Sequence, residues 1–197
     1  MGGAVAAKAR MQGPERRELI ALEAGRLFGR LGYGATRLDD IAAAAGVTKP
    51  IVYRHFGSKK DLYIALLRRH EADLPTFIDV ELTPGMTHEE FIGSILDGWL
   101  DYAHENSWSW LILFRDKTGD PEIEAARVRV NARAHEILTD FTRRMAPKLS
   151  PELVEPSAEF LTRGLAGLVL WWADHPGVRK AVVHAAATRI CVATLRE

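Results

Sequence analysis

Between Thr48 and His55 the chain gathers a hydroxyl, an ammonium, a phenol, a guanidinium and an imidazole into eight residues, Thr48-Lys49-Pro50-Ile51-Val52-Tyr53-Arg54-His55. Apart from Pro50, the outward residues Lys49, Pro50, Tyr53, Arg54 and His55 are hydrogen-bond donors. Donors on a short helix suit base-pair edges and phosphates in a DNA major groove. Thr48, at the helix N-cap, adds a hydroxyl and free N–H groups where the helix dipole favours an anion. Lys49 suits guanine O6/N7, and Pro50 offers only apolar contact, such as to a thymine methyl.

Catalysis and metal chemistry find little support elsewhere. There is no His-Glu-x-x-His, no glycine-rich phosphate loop and no Gly-x-Ser-x-Gly. The single cysteine, Cys191, lies in an apolar stretch with no base near it in sequence and reads as an inert thiol. His70-Glu71 and His88-Glu89-Glu90 fall at helix ends without a third ligand at sensible spacing. No metal, no cofactor and no enzymatic activity are expected.

The elements that position this stretch are helical throughout. Pro14 opens a first helix, whose face is Ile20, Ala24, Leu27, Phe28 and Leu31, and Gly32 is expected to end it as a left-handed cap. Thr36 with Asp39 reads as a capping box for a second helix carrying Leu38, Ile41, Ala42 and Ala45. Gly46 stops it, and Thr48 caps the third, with Pro50 in its first turn. Ser58 with Asp61 opens a fourth over residues 59–73, and Pro75 stops it. Ala42 where two helices cross, Gly46 in the turn and Val52 returning to the core meet the steric needs of a helix-turn-helix. After a linker over residues 77–86, helices are expected over 87–105, 107–116, 120–145, 150–174 and from 178 to the C-terminus. No alternating strand pattern appears, so the fold class is all-α with about nine helices. The expected organisation is a tail (1–13), a helix-turn-helix domain (14–75) and a helical body (76–197).

Charge follows that division. The 197 residues carry 26 basic and 26 acidic side chains, a formal net charge of zero. Residues 1–75 hold 13 Lys/Arg against eight Asp/Glu, or +5, and residues 76–197 hold 13 against 18, or −5. A basic compact module on an acidic helical body is the asymmetry of a nucleic-acid module joined to something else. The lone cysteine fits a reducing cytoplasm, no stretch is long enough for a membrane span, and the first residues do not read as a signal peptide.

The block from residue 27 to 67 resembles the N-terminal domain of the tetracycline-repressor (TetR) family of bacterial regulators. The residues that carry the likeness are Phe28, Gly32-Tyr33, Thr36, Ile41-Ala42, Ala45-Gly46-Val47-Thr48-Lys49, Val52-Tyr53-Arg54-His55-Phe56, Ser58-Lys59 and Leu62. Pro50 stands where many members have Gly, and Arg37 where many have Ser or Thr. The resemblance implies a homodimer on a palindromic operator, with an effector pocket and the dimer interface in the C-terminal body. Tyr53 and His55 resemble the family's phosphate-contacting pair, and Lys59 its phosphate clamp at a helix start. Arg37, one residue past Thr36, is placed to reach a phosphate or the groove. The expected DNA-binding set is therefore Arg37, Thr48, Lys49, Pro50, Tyr53, His55 and Lys59. Read alone, Lys59 is also an ordinary solvated helix start, Tyr53 a half-buried aromatic and His55 a neutral surface imidazole. Asp39 and Asp40 read as first-turn dipole and capping residues facing away from DNA.

All five Trp lie in the acidic half. Trp99, Tyr102, Trp108, Trp110, Phe114, Phe141 and Trp171 either line an effector cavity or fill a bundle core. Trp108 and Trp110, two apart, cannot share one helix face, so one of them faces something other than the main core. His104 and His135 are candidate polar anchors for a pocket. Leu161, Leu165, Leu168 and Trp172, with Gly164 and Gly167 between them, face Val182, Ala186 and Ile190 across a dimer bundle or pack within one chain. The expected function is an operator-binding regulator, a repressor released by a small-molecule effector. The competing class is a dimeric small-molecule carrier or enzyme whose basic module is only a scaffold.

Overall fold

The Gln12 backbone N–H donates to Glu15 Oε2 at 3.2 Å, closing a capping box with Pro14 in the first turn. From there a computed structural model describes residues 12–77 and 85–195. Residues 1–11 of the expected tail, 78–84 of the expected linker and the last two residues lie outside the described residues. Nine α-helices and no strand occur among the described residues. They are α1 (Gly13–Ala35), α2 (Leu38–Ala45), α3 (Lys49–Phe56), α4 (Lys59–Asp73), α5 (His88–Glu105), α6 (Ser107–Phe114), α7 (Pro121–Met145), α8 (Pro151–Ala173) and α9 (Lys180–Leu195), with a 3-10 turn, Leu74–Phe77, after α4.

Several caps form as the sequence indicates. Ser58 Oγ accepts from Asp61 N at 3.0 Å, Thr87 Oγ1 from Glu90 N at 3.2 Å, and Asp120 Oδ1 from Glu122 N at 2.9 Å. Others differ. Gly32 takes φ 79° and ψ 163°, a positive-φ conformation that favours glycine but lies outside the αL region, so it breaks α1 rather than capping it, and residues 33–35 make one further turn. The Thr36 capping box does not form, because Arg37 occupies the N-cap of α2. Thr36 is fully buried, and its hydroxyl donates to Gly32 O at 2.7 Å, satisfying a carbonyl exposed by the break. Helix α6 ends at Phe114, leaving Asp116 in the following loop, and α9 starts two residues later than expected.

Two hydrophobic clusters share the molecule. The first is built from α1–α4, with Phe28, Ile20, Ile41, Leu62 and Tyr63 fully buried, and it also takes in Trp108, Ile112, Ile123 and Val130 from the helices beyond the linker. The second joins α5, α8 and α9 with Trp99, Trp110 and Phe141. Helix α6 therefore faces both clusters, Trp108 into one and Trp110 into the other. The Trp108 indole lies directly on α1. A Cβ at Gly25 would sit 2.6 Å from its Cε3, and one at Gly29 would sit 2.9 Å from its Cβ. Only glycine permits that approach.

Candidate nucleic-acid interface and cavity

The turn between α2 and α3 forms because Gly46 adopts the left-handed conformation (φ 63°, ψ 36°), and Val47 N closes it by donating to Ala42 O at 2.9 Å. Ala42 is small enough for the crossing and is buried, while Val52 and Phe56 anchor α3 to the core. Ile51 packs partly buried against the same core, and the other residues of α3 face away from it. Thr48, Pro50, Tyr53 and Arg54 are exposed, as is Arg37 at the N-cap of α2, while Lys49, His55 and Lys59 are half-buried. The Thr48 hydroxyl makes no capping bond.

Helix α1 holds α3 from behind, and the start of α4 is tied to the end of α1. Arg17 of α1 stacks its guanidinium over the Phe56 ring at 4.1 Å and donates to His55 O. Lys59 donates from Nζ to Tyr33 O at 2.8 Å and Thr36 O at 3.0 Å, and lies 4.4 Å from the Tyr33 ring centroid. Two of its three protons are thus directed at the end of α1, a positioning contact invisible in the helix-start pattern. Lys49 pairs with Asp39 Oδ2 at 3.0 Å, so Asp39 reaches the leading end of α3. Both partners are about half exposed, and such a pair yields readily to a competing anion. Burial, then the neighbouring Arg54, Arg17 and Arg16, hold the His55 pKa below its usual value, which favours the neutral ring.

A buried polar junction links this module to the body. Asp116 Oδ2 accepts the Tyr33 N–H at 2.7 Å and lies 2.9 Å from the Tyr63 hydroxyl. That hydroxyl also stands 3.0 Å from Ile112 O and accepts from Arg127 Nη2 at 2.8 Å. Burial raises the Tyr63 pKa well above the usual phenol value, so it stays a neutral donor. Lys60 extends the junction at the surface, 2.6 Å from Glu122 and 3.7 Å from Asp120. None of Asp116, Tyr63 and Arg127 belongs to a local motif, and sequence reasoning missed them.

Beside the junction, a cavity of about 110 Å³ opens within the second cluster. Of the aromatic candidates, Trp99, Trp110, Phe114 and Phe141 line it, and Tyr102, Trp108 and Trp171 do not. Tyr102 lies one layer out, its hydroxyl donating to Asp73 Oδ2 at 2.9 Å and standing 3.3 Å from His70 Nδ1. Trp108 faces α1, and Trp171 is exposed with its ring stacked on His175 at 4.4 Å. Neither His104 nor His135 reaches the wall; His104 lies against Trp172, and His135 pairs with Glu155 and Glu159. His70 lines it instead, continuing the buried stripe of Tyr63, Leu66 and Leu67 along α4. That spacing was the available signal for it.

The last two helices divide otherwise than expected. Leu161 and Trp172 are buried within the chain, and Leu165 and Leu168 are half-buried. The outward stripe of α8 lies one residue earlier, at Phe160 (57 % exposed), Gly164, Gly167 and Trp171 (44 %). Leu161 and Trp172 turn inward because the α8 face toward α7 and α9 carries them with Ala158 and Val169. On α9, Val182, Ala186 and Ile190 are exposed. No helix among the described residues is long and apolar enough to cross a membrane, and no group of His, Cys, Asp or Glu among them is placed to hold a metal ion.

Residues 20–66 match the family model described as bacterial regulatory proteins, tetR family. The chain is 32 % identical over 126 residues to the HTH-type transcriptional activator FasR of Mycolicibacterium smegmatis, covering 64 % of this chain but only 57 % of that protein. It is 29 % identical over 145 residues to the HTH-type transcriptional regulator BetI of Vibrio parahaemolyticus, covering 71 % of this chain and 69 % of that one. In fold it is similar to a TetR transcriptional regulator from Legionella pneumophila, with a TM-score of 0.74 at 20 % identity over 94 % of this chain and 98 % of the other.

Proposed function

We infer, from a chain that belongs to the TetR family through its residues 20–66, that α3 is the recognition helix of a homodimeric operator-binding regulator controlled by a small molecule. The observation that carries this is the division of α3: Val52 and Phe56 hold one side in the core, while Thr48, Pro50 and Tyr53 stand exposed at the other. Lys49 takes the guanine edge, exchanging Asp39 for it, and Thr48, Tyr53 and His55 hold phosphates. Arg37 reaches the neighbouring backbone. Lys59 fixes the end of α1 to the start of α4 and presents its third proton to a phosphate.

A second copy pairs through the apolar stripe of Phe160, Gly164, Gly167 and Trp171 with Val182, Ala186 and Ile190. Small residues between large ones favour close helix contact there. The two recognition helices must then lie about 34–36 Å apart to enter successive grooves. Helix α6 supplies the link to the effector. Trp110, Leu113 and Phe114 form cavity wall, Trp108 rests on Gly25 and Gly29 of α1, and Asp116 binds Tyr33 just beyond the helix. A ligand that shifts α6 moves α1 and the spacing of the recognition helices, provided it binds one arrangement better.

Release of a repressor is the simplest outcome of that motion. Activation is the second reading, favoured by the name of the relative from Mycolicibacterium smegmatis. Selection of bound fragments from a genomic DNA library, followed by nuclease protection, tests the proposal. A palindromic protected site is expected, and binding with no sequence preference overturns it.

A further inference from the structure

The face that α3 presents is basic: Lys49 and Arg54 lie on it, and Arg37 stands beside it at the N-cap of α2. A carboxylate is set among these cations. Asp39 Oδ2 lies 3.0 Å from Lys49 Nζ, at the leading end of the helix assigned to base reading. Asp40, the next residue, is also exposed, but among the described residues only Asp39 of the two pairs with α3.

A place in the first turn of α2 suits both carboxylates to the helix dipole. It does not account for the reach of Asp39 across the turn to α3. An ion pair with both partners about half exposed adds little to stability. A carboxylate that faces a polyanion weakens binding by like-charge repulsion, unless it meets a donor there. In the major groove the cytosine N4 amino group is such a donor, and cytosine shows no acceptor beside it.

The spacing of the two charges fits a single base pair. Guanine O6 and cytosine N4 are hydrogen-bonded to each other, so they stand about 2.9 Å apart. Guanine O6 keeps a lone pair toward the groove, and cytosine N4 keeps a proton. An ammonium and a carboxylate 3.0 Å apart offer donor and acceptor at that same separation.

We propose that Asp39 is a specificity-determining residue: it and Lys49 read one G·C pair together, Lys49 Nζ donating to guanine O6/N7 and Asp39 Oδ2 accepting from cytosine N4. The proposal rests on the recognition-helix reading above and adds a residue of α2 to it. An inverted C·G pair exchanges donor and acceptor and is rejected. An A·T pair is rejected because a carboxylate on adenine N6 lies beside the N7 acceptor. Elsewhere on DNA Asp39 meets no donor, so it lowers non-specific affinity.

Fluorescence anisotropy with the full chain and single base-pair substitutions through a selected operator fragment locates the pair at which Lys49→Ala loses its preference. Asp39→Ala is expected to lose preference at that same pair, by about 5- to 100-fold. It should bind a scrambled duplex at least as tightly as the native chain does, since a negative charge has gone, and that binding also reports a folded variant. Asp40→Ala, the same charge change one residue on, should keep the native preference there. N4-methylcytosine at the pair keeps the Watson–Crick bond and blocks the groove-facing N4 proton. It should weaken the native chain and leave Asp39→Ala within about twofold. The proposal is overturned if Lys49→Ala loses no base preference, or if the pair it reads is A·T. It is also overturned if Asp39→Ala changes operator and scrambled affinity by one common factor, or if the N4-methyl group weakens both proteins alike. With the operator still preferred and Lys49→Ala still losing a preference, these last two results leave the reading of α3 standing. A native chain with no preference between the duplexes defeats that reading itself.

Discussion

Asp116 caps a turn that begins 83 residues before it: its Oδ2 accepts the Tyr33 N–H at 2.7 Å. The bond exists because Gly32 breaks α1, making Tyr33 the first residue of a new turn with an orphan donor. The same carboxylate oxygen stands 2.9 Å from the Tyr63 hydroxyl, which Arg127 also reaches. Asp116→Ala strands the Tyr33 donor and removes a charge-assisted bond, and is expected to destabilise the fold by about 1–3 kcal/mol. Tyr63→Phe removes the hydroxyl from Asp116, Ile112 O and Arg127 Nη2 and is expected to cost about 1–3 kcal/mol. In a double-mutant cycle read by urea unfolding, the pair couples by about 0.5–3 kcal/mol, whereas strict additivity contradicts the junction.

The pad beneath Trp108 makes a second prediction. Gly25→Ala places a methyl 2.6 Å from the indole, and the rigid ring has α1 on one side and the core on the other. Destabilisation of about 1–3 kcal/mol is expected, as for overpacked cores. Trp108→Phe in the same chain relieves part of it. Thermal unfolding of the two single variants and the double variant tests this, and a neutral Gly25→Ala contradicts the close approach.

Acid should weaken the body through His70. Burial lowers its pKa from 6.5 to about 4, so the folded chain binds that proton more weakly than the unfolded chain. The stability tied to the neutral ring is complete above pH 6.5 and is lost as pH falls toward 4, a total of about 3 kcal/mol. In His70→Phe the decline over that window should be shallower by about that amount. Equal pH slopes for the two proteins contradict a buried neutral His70.

Helix α8 presents its outer stripe one residue away from its buried one, and the two should respond differently to charge. Phe160→Glu and Trp171→Glu sit on the exposed stripe and are expected to convert dimer to monomer in sedimentation without loss of helix. Leu161→Glu, at 3 % exposure, is expected to unfold the chain instead, since it buries an unpaired carboxylate. A dimer that survives both outer substitutions contradicts the proposed interface.

These contrasts mark what the sequence made legible. Ser58 with Asp61, Thr87 with Glu90 and Asp120 before Pro121 are local signals, and each formed a cap because its partners are two or three residues apart. The helix-turn-helix was legible for the same reason: Ala42, Gly46 and Val52 act within a few turns. Thr36 looked like another local cap, but its burial beside the break at Gly32 turned the hydroxyl to a carbonyl instead. The junction of Tyr33, Tyr63, Asp116 and Arg127 joins four distant elements, and no spacing announces it. The inward stripe of α8 differs from the outward one by a single residue, and both are apolar, so periodicity alone did not separate Leu161 from Phe160. Trp108 and Trp110 were separable by their spacing of two, although which faced the cavity depended on the glycine pad of α1.

The central claim, that α3 reads DNA, is tested most directly by the salt dependence of operator affinity. Fluorescence anisotropy with a selected operator fragment and a scrambled duplex, at several salt concentrations, compares the native chain with Lys49→Ala and Tyr53→Ala. The native chain is expected to prefer the operator by about 10³-fold or more, with affinity falling steeply as salt rises. Lys49→Ala should reduce that preference at its base pair by about 1–3 kcal/mol, and Tyr53→Ala should weaken operator and scrambled duplex alike. Equal affinity for the two duplexes, or variants indistinguishable from the native chain in affinity and salt slope, would contradict the assignment of α3 as the recognition helix.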